Sequence, residues 1–433
     1  MSLYELELAT YPLIARMMQI GIKPNLPHYA QLSERLAMEL ECLQAVLDDQ
    51  TGRPGFNANS SLQVGEALFT QHNLEPIKWT ETGDPSTNDK ILEALEREHG
   101  NVPLISTIRA FREVHKLKHT FVDVVPLLVN GWPYDGRVHP VFKTTRIPTG
   151  RLAASMPMGF KKFNVLGMPK HGTFAKDFRR GLICEPGHVL GEWDLSQIEL
   201  RVLAHLSQDP ALLDAFTRGI DLHSLLAARI FGVDPKDQDV STHRLPAKAI
   251  NFGLPMGMQA QGLCLELRKN GLDVDEDDAQ RWIDETMALY TNVPIYQQGC
   301  VAEARQQGYV RCLSGRIRYI GGIDATQKAA RAEAERLAYS TKIQEGAQWI
   351  MKQAEARLWH DLLVPCWRQG EWIEPLLQVH DAIVLEIAHE TLARHVHPLM
   401  AQIMEYPVDG FSVPITTSGD WGYNLADMEP FLL

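Results

Sequence analysis

Apolar positions recur at helical spacing from Leu32 to about Leu47, which predicts a long amphipathic helix. Gly52–Ser61 (GRPGFNANSS) reads as a loop, as does Gly83–Thr87, where Ser86 or Thr87 is placed to cap a helix starting near Asp89. Helical patterning returns from about Leu104 to Leu127, so the first part is mostly helical and separable, with a boundary near Gly131-Trp-Pro133. His188–Trp193 is a short apolar run of strand type that ends in Asp194. From Ile198 to about Ile350 the pattern is largely helical, broken at Gly219, Gly232 and Gly253 and by a hairpin signal at Gly315–Ile323. Pro375–Ile387 (PLLQVHDAIVLEI) reads as two apolar strands meeting at His380-Asp381. One strand ending in a carboxylate and a hairpin carrying another, with helices between, can bring Asp194 and Asp381 onto one sheet.

Composition narrows the class. The 433 residues are 45% hydrophobic and 22% charged, enough for a large core and for two or three subdomains. No stretch approaches the roughly 18 unbroken apolar residues a membrane helix needs. The acidic start, MSLYELELATYP, lacks the plan of a secretory signal, so a cytoplasmic protein is expected, in the nucleoid or in a host cytoplasm. The six cysteines (Cys42, Cys184, Cys264, Cys300, Cys312, Cys366) include no CxxC pair, which argues against a zinc site, a redox motif or a disulfide scaffold. A net charge of −12 argues by itself against a nucleic-acid partner. Local patches outweigh the sum, however, and Lys161, Lys162, Lys170, His171, Lys176, Arg179 and Arg180 form a basic segment.

Two constellations carry candidate chemistry. Aspartates in hairpin turns are commonly turn residues, but Asp194 and Asp381 as a pair match what magnesium requires. That ion takes hard oxygen ligands, typically one or two carboxylates plus substrate phosphates. Two such ions roughly 4 Å apart activate an attacking hydroxyl and stabilise the leaving oxygen of a phosphoryl displacement. Arg244, Lys248 and Phe252 recur every four residues and share one face of a helix. Arginine offers a planar fork to phosphate oxygens, lysine a compact charge, and the aromatic a stacking surface. An ordinary amphipathic surface helix would look the same. His223, in Gly-Ile-Asp-Leu-His, is a further phosphate-donor candidate.

These residues sit in recognisable segments. Asp194-Leu-Ser-Gln-Ile-Glu-Leu-Arg closely resembles the first polymerase motif of family A DNA polymerases, the bacterial DNA polymerase I group. Arg244-Leu-Pro-Ala-Lys-Ala-Ile-Asn-Phe-Gly253 resembles their second motif and Gln378-Val-His-Asp381 their third, in the right order. Phe56–Gln63, Gly83–Thr87, Lys116–Thr120, Thr149–Leu152, Gly219–His223 and Ser314–Arg316 look like further landmarks, so the resemblance extends over nearly the whole chain.

The resemblance implies an α+β right-hand fold. Its parts are a thumb at residues 1–130, a palm with an antiparallel sheet split between 131–210 and 336–433, and mostly helical fingers at 211–335. It implies template-directed addition of deoxyribonucleotides to a primer 3′-hydroxyl. Asp194 and Asp381, with the carbonyl of Leu195, would bind two magnesium ions, manganese being a substitute. Arg244, Lys248 and His223 would hold the triphosphate, Lys248 also helping pyrophosphate leave. Phe252 would pack on the sugar, Glu199 would crowd its 2′ position, and Gln197 and Met256 would be further substrate contacts. Arg151, Asn164, Arg336, Gln344 and His380 would contact the primer–template. The partners implied are primer–template DNA and deoxyribonucleotides, with a separate exonuclease, helicase or processivity factor, no membrane, and a monomeric chain. The thumb-like region begins almost at residue 1, leaving no room for a proofreading exonuclease domain. A stand-alone enzyme in replication or repair, or a fragment of a longer product, is expected.

The motifs also depart from the family pattern. Met256 stands where a tyrosine usually follows the second motif, Ala382 replaces a carboxylate after Asp381, and Leu195 replaces an aromatic. Phe163–Pro169 keeps only Asn164 and the final proline of a template-contacting motif. Pro246 places the helix start near Leu245 or a kink there. Two other functions stay open: a single-subunit RNA polymerase, against which Glu199 argues, and a non-catalytic DNA-binding relative, against which the retained aspartates and cations argue.

Overall fold

The computed structural model describes residues 2–80, 82–130, 134–155, 163–169, 172–232, 240–253, 256–269, 272 and 274–431. Helices and strands are both present, and the strands that matter form one five-stranded antiparallel sheet. Its order is Met428–Pro430, Thr417–Gly422, Val189–Leu195, Ala382–Ile387, Ile373–Val379. The two apolar runs expected around His380-Asp381 are its last two strands. Every residue of both is buried, which is why they read as continuous rather than alternating apolar runs. The expected strand before Asp194 is the central one and runs two residues further, through Asp194 to Leu195.

The sheet packs against the 30-residue helix Lys328–Arg357 and the first helix, Leu3–Ile20, in one large core. Gly191 in the central strand makes room for its neighbour: a Cβ there would lie 2.3 Å from the Trp193 ring. Gly346 lets the long helix approach helix Ile198–Ser207, where a Cβ would lie 2.7 Å from Val202. Charges buried against the core are mostly paired. Arg16 Nε holds Glu374 at 2.7 Å, Arg137 Nη2 holds Glu386 at 2.6 Å, and Lys352 Nζ reaches Glu7 at 2.5 Å. Glu355 is wholly buried, and loss of hydration pushes its carboxyl up to about 8, so it packs as the neutral acid at neutral pH.

Smaller cores lie outside the main one. Leu47, Phe56, Val64, Leu92, Leu95 and Ile108 form one within the early helices. Leu226, Ala247, Ile250, Leu263 and Trp282 form another, between the central strand and the long helix in sequence. The predicted amphipathic helix is longer than its periodicity, spanning Leu26–Thr51 with Asn25 as its cap. The helix near Asp89 is capped by Asn88, whose side chain accepts from Ile91 N–H, rather than by Ser86 or Thr87, both of which are buried. The hairpin predicted at Gly315–Ile323 pairs Tyr309–Arg311 with Ile317–Tyr319. The expected boundary at Gly131–Pro133 lies outside the described residues.

Candidate functional site

Asp194 and Asp381 are brought together by backbone register. Asp194 pairs with Ala382 on one side and Ser418 on the other, and Leu195 N–H donates to the carbonyl of Asp381 at 3.0 Å. Only His380 and Asp381 link the strands whose ends pair Val379 with Ala382. His380 has φ +57°, a left-handed conformation that few non-glycine residues adopt outside tight turns, and its carbonyl accepts from Gln378 Nε2 at 3.1 Å. Asp194 is exposed and Asp381 half-exposed, so neither is sealed in the core that surrounds their strands.

After Leu195 the chain turns sharply at Gln197, also left-handed at φ +52°, and starts helix Ile198–Ser207 with Glu199 in its first turn. Gln197 Oε1 is buried and has no hydrogen-bond partner among the described residues.

The donor set suits a hard divalent cation: two carboxylates at adjoining strand ends, with peptide carbonyls beside them. No group of three or more acidic, histidine or cysteine side chains converges among the described residues, so substrate oxygens and water would complete any such site. Ala382 is buried at 2% exposure and offers no third carboxylate.

The cationic face is present. Arg244, Lys248 and Phe252 all lie on helix Val240–Gly253, where Arg244 and Lys248 are exposed and Phe252 is 39% exposed. The helix includes Val240, so it does not begin near Leu245, and Pro246 lies in its interior with Arg244 fully helical. Lys248 Nζ is 5.8 Å from the centre of the Phe252 ring, and the His223 ring centre is 5.7 Å from it on the other helix.

Arg244 is engaged by Asp221, through Nε at 2.7 Å and Nη2 at 3.3 Å. Asp221 in turn caps helix Leu222–Phe231 by accepting from the backbone of His223 and Ser224. Burial would raise the Asp221 carboxyl, but hydrogen bonds from Arg244 and Ser224 outweigh it and hold the group at about 2. A depressed carboxylate stabilises the fold above its unfolded pKa, and that contribution is lost as pH falls through about 2. The ion pair is therefore intact across any ordinary assay range. Burial lowers the His223 imidazole to about 4, with Arg244 and Lys248 adding to the effect against Asp221.

The expected nucleic-acid contacts separate into three places. Arg151, Asn164 and His380 line one cavity of about 300 Å³, with Ile147, Leu152, Ala153, Ala154, Leu166, Gln348 and Gln378. Arg151 is ion-paired to Glu199, joining this cavity to the turn after Asp194. Gln344 lies elsewhere and donates from Nε2 to the sulfur of Met256 at 3.6 Å. Arg336 lines a different cavity, with Gly257, Gln298 and Tyr339.

Two residues unassigned by sequence reasoning belong to the first cavity. Gln348 and Gln378 are each 2% exposed, and Gln348 Nε2 and Gln378 Oε1 lack partners among the described residues. Gln378 opens the third motif, and Gln348 falls one helical turn after Gln344, which are the signals that could have found them.

The basic segment fares differently. Lys161, Lys162, Lys170 and His171 lie outside the described residues. Within them, Arg180 pairs with Asp427 and Asp177 at 2.7 Å each, Lys176 meets Asp427 at 3.4 Å, and Arg179 donates to the carbonyl of Leu425 at 3.0 Å. With Arg179 also reaching Glu192 at 3.6 Å, each cation in the described half of the segment has a carboxylate neighbour.

Met256 is half-buried and touches Gln344 through a thioether that accepts only weakly. Met256→Tyr replaces this soft contact with a rigid ring and a hydroxyl donor. For the nucleotide contact that the family resemblance implies at Met256, discrimination against mismatched or ribose nucleotides is expected to rise several-fold, on the order of 1 kcal/mol. Parallel incorporation assays with correct, mismatched and ribose nucleotides check it, and unchanged ratios refute it.

A family model described as DNA polymerase family A matches residues 27–427. The thermostable DNA polymerase I of Thermus thermophilus is 36% identical over 421 residues, covering 96% of this chain and 48% of that protein. DNA polymerase I of Pseudomonas aeruginosa is 33% identical over 404 residues, covering 92% of this chain and 42% of that protein. The chain thus spans about half the length of the curated relatives it matches. Among solved structures, the POL domain of Pol1 from M. smegmatis, in complex with DNA primer-template and dNTP, superposes with a TM-score of 0.85 at 29% identity. That match covers 97% of this chain and 70% of the other.

Proposed function

The chain belongs to DNA polymerase family A, and from that footing we propose that it extends a primer 3′-hydroxyl with deoxyribonucleotides selected by a DNA template. The observation that carries the reading is the register bond from Leu195 N–H to the Asp381 carbonyl, which puts two carboxylates from distant parts of the chain at one end of the sheet. A DNA-binding module needs no such pair.

Asp194 and Asp381, with the carbonyl of Leu195, would hold magnesium, with manganese as a substitute. When bound there, the divalent ions neutralise phosphate charge and activate the attacking hydroxyl. Lys248, Arg244 and His223 grip the triphosphate, and Lys248 also helps the pyrophosphate leave. Phe252 offers its exposed ring to the sugar. Glu199 crowds the sugar 2′ position, while Gln197 and Met256 complete the nucleotide contacts. Arg151, Asn164 and His380, with Gln348 and Gln378, face the primer–template minor groove, whose acceptors are common to both orientations of a base pair. Gln344 and Arg336 act nearer Met256.

The division into thumb (1–130), palm (131–210 and 336–433) and fingers (211–335) is supported by two findings. An early helical core stands apart from the main one, and the sheet draws its strands from both sides of a helical block. No helix among the described residues is long and apolar enough to cross a membrane.

A labelled primer annealed to a longer DNA template, with magnesium and either deoxyribo- or ribonucleotides, tests this reading. Templated extension is expected, at least a hundredfold faster with deoxyribonucleotides, on the order of 3 kcal/mol of discrimination. Equal use of both sugars would point to an RNA polymerase, and binding without extension under several divalent metals would overturn the catalytic reading.

A further inference from the structure

Asn251 lies inside the helix that carries Arg244 and Lys248, yet it is 1% exposed and points away from solvent. Its amide makes three hydrogen bonds. Nδ2 donates to the carbonyl of Leu222 at 3.1 Å and meets Nδ1 of His223 at 3.1 Å, while Oδ1 accepts from the hydroxyl of Tyr290 at 3.0 Å. The first bond fixes the amide's orientation, because a carbonyl only accepts and must therefore face the NH2 group. The remaining N–H of that group then points at His223 Nδ1, which must be the unprotonated ring nitrogen. His223 and Tyr290 are themselves buried, at 2% and 4% exposure, so neither ring is free to turn away.

We propose that Asn251, braced by Tyr290, is a positioning residue that locks His223 as the neutral tautomer with its proton on Nε2, a fixed donor for a nucleotide phosphate oxygen. This rests on the nucleotide-binding role proposed above. Histidine is ordinarily the side chain that changes charge near neutral pH, and a phosphate nearby would normally favour the imidazolium. Here the amide donor opposes protonation at Nδ1, and burial works in the same direction. The charged groups facing the ring are Asp221 on its own helix and Arg244 and Lys248 on the facing one, with the Tyr290 phenol behind the amide. Asp221 is held at about 2 by Arg244 and Ser224 against the opposing effect of burial, and burial raises the Tyr290 phenol well above its usual range. Neither titrates between pH 6 and 9, so any titration there belongs to His223. The arrangement gives the site one donor of constant charge beside Arg244 and Lys248.

Two measurements test this on the full chain. Long-range proton–nitrogen NMR, with His223 assigned through His223→Gln, is expected to show a neutral ring protonated at Nε2 throughout pH 6 to 9. A ring protonated at Nδ1, or an imidazolium at pH 7, overturns the proposal. Steady-state kinetics supply the second readout. Asn251→Leu removes the lock and is expected to raise the KM for deoxyribonucleotide about five- to tenfold, with kcat changing less than about threefold, the size of one ordinary lost hydrogen bond. Asn251→Asp supplies an acceptor in place of the donor, so Nδ1 gains a proton. Its KM is expected to become pH-dependent between 6 and 8 where the wild-type value is flat. Tyr290→Phe, which leaves both amide and imidazole in place, is expected to give an intermediate KM and a mixed tautomer signal, guarding against simple unfolding of the Asn251 variants. An Asn251→Asp profile parallel to wild type refutes the lock. If the intact chain extends no primer, the nucleotide reading fails while the NMR result still decides the tautomer.

Discussion

Asp381→Ala is expected to abolish templated extension, lowering the single-turnover rate on the order of a thousandfold, about 4 kcal/mol of transition-state stabilisation. The substitution spares the backbone of the turn. Asp381 is the second of two residues in a hairpin turn, and the bond that holds the turn to the central strand runs from Leu195 N–H to the backbone carbonyl of residue 381, which alanine retains. The flanking strands are buried throughout and keep their packing. Thermal stability and primer–template affinity should therefore stay close to wild type while chemistry fails. With Ala382 buried beside it and no further carboxylate gathered among the described residues, no neighbour can replace the missing oxygen donor. Rapid-quench extension across a magnesium titration, with DNA binding measured in parallel, checks the expectation. A variant that extends at the wild-type rate would remove Asp381 from the reaction, and loss of DNA binding together with activity would mean that its role is structural.

Lys248→Met is expected to lower kcat/KM for the nucleotide by about a hundredfold, roughly 3 kcal/mol, with most of the loss in kcat. Methionine keeps a flexible apolar stem of similar length beside the Phe252 ring, so the substitution removes charge more than packing. The remaining cation cannot compensate. Arg244 is engaged by Asp221 through two bonds, and that carboxylate stays ionised at every working pH. Arg244 must exchange one anion for another to reach a triphosphate. A loss confined to KM would mean that Lys248 only binds, and a loss in kcat means that it stabilises charge developing on the leaving pyrophosphate. Pre-steady-state nucleotide titrations separate the two.

Much of the site was legible because its chemistry is carried by short patterns. The runs before Asp194 and around Asp381 are continuously apolar since their strands are covered on both faces, and that signal needs no tertiary information. Four-residue spacing placed Arg244, Lys248 and Phe252 on one face for an equally local reason. The cap at Asn88 was misread because Ser86 and Thr87 are adequate caps by type and differ from it only in burial. Thr417–Gly422 and Met428–Pro430, the last two strands in the chain, left no readable pattern, being short and mixed in exposure.

The amino-acid sequence by itself determined where the helical and strand-like runs fall, the order of the three motifs and the types of the candidate site groups, because these depend on local pattern along the chain; the α+β right-hand class came from the family resemblance those motifs carry. Tertiary structure alone decided which strands are neighbours, and therefore that Asp194 comes beside the turn carrying Asp381, whose carbonyl accepts from Leu195 N–H. It decided that Gln344 touches Met256 while Gln348 enters the cavity with Arg151, and that Asp427 silences Arg180 from 247 residues away. It also joined Asn251 and Tyr290 to His223. Each of these is a contact between groups far apart in sequence, fixed by strand register and helix packing, and one-dimensional periodicity carries no record of the partner on the other side of a core.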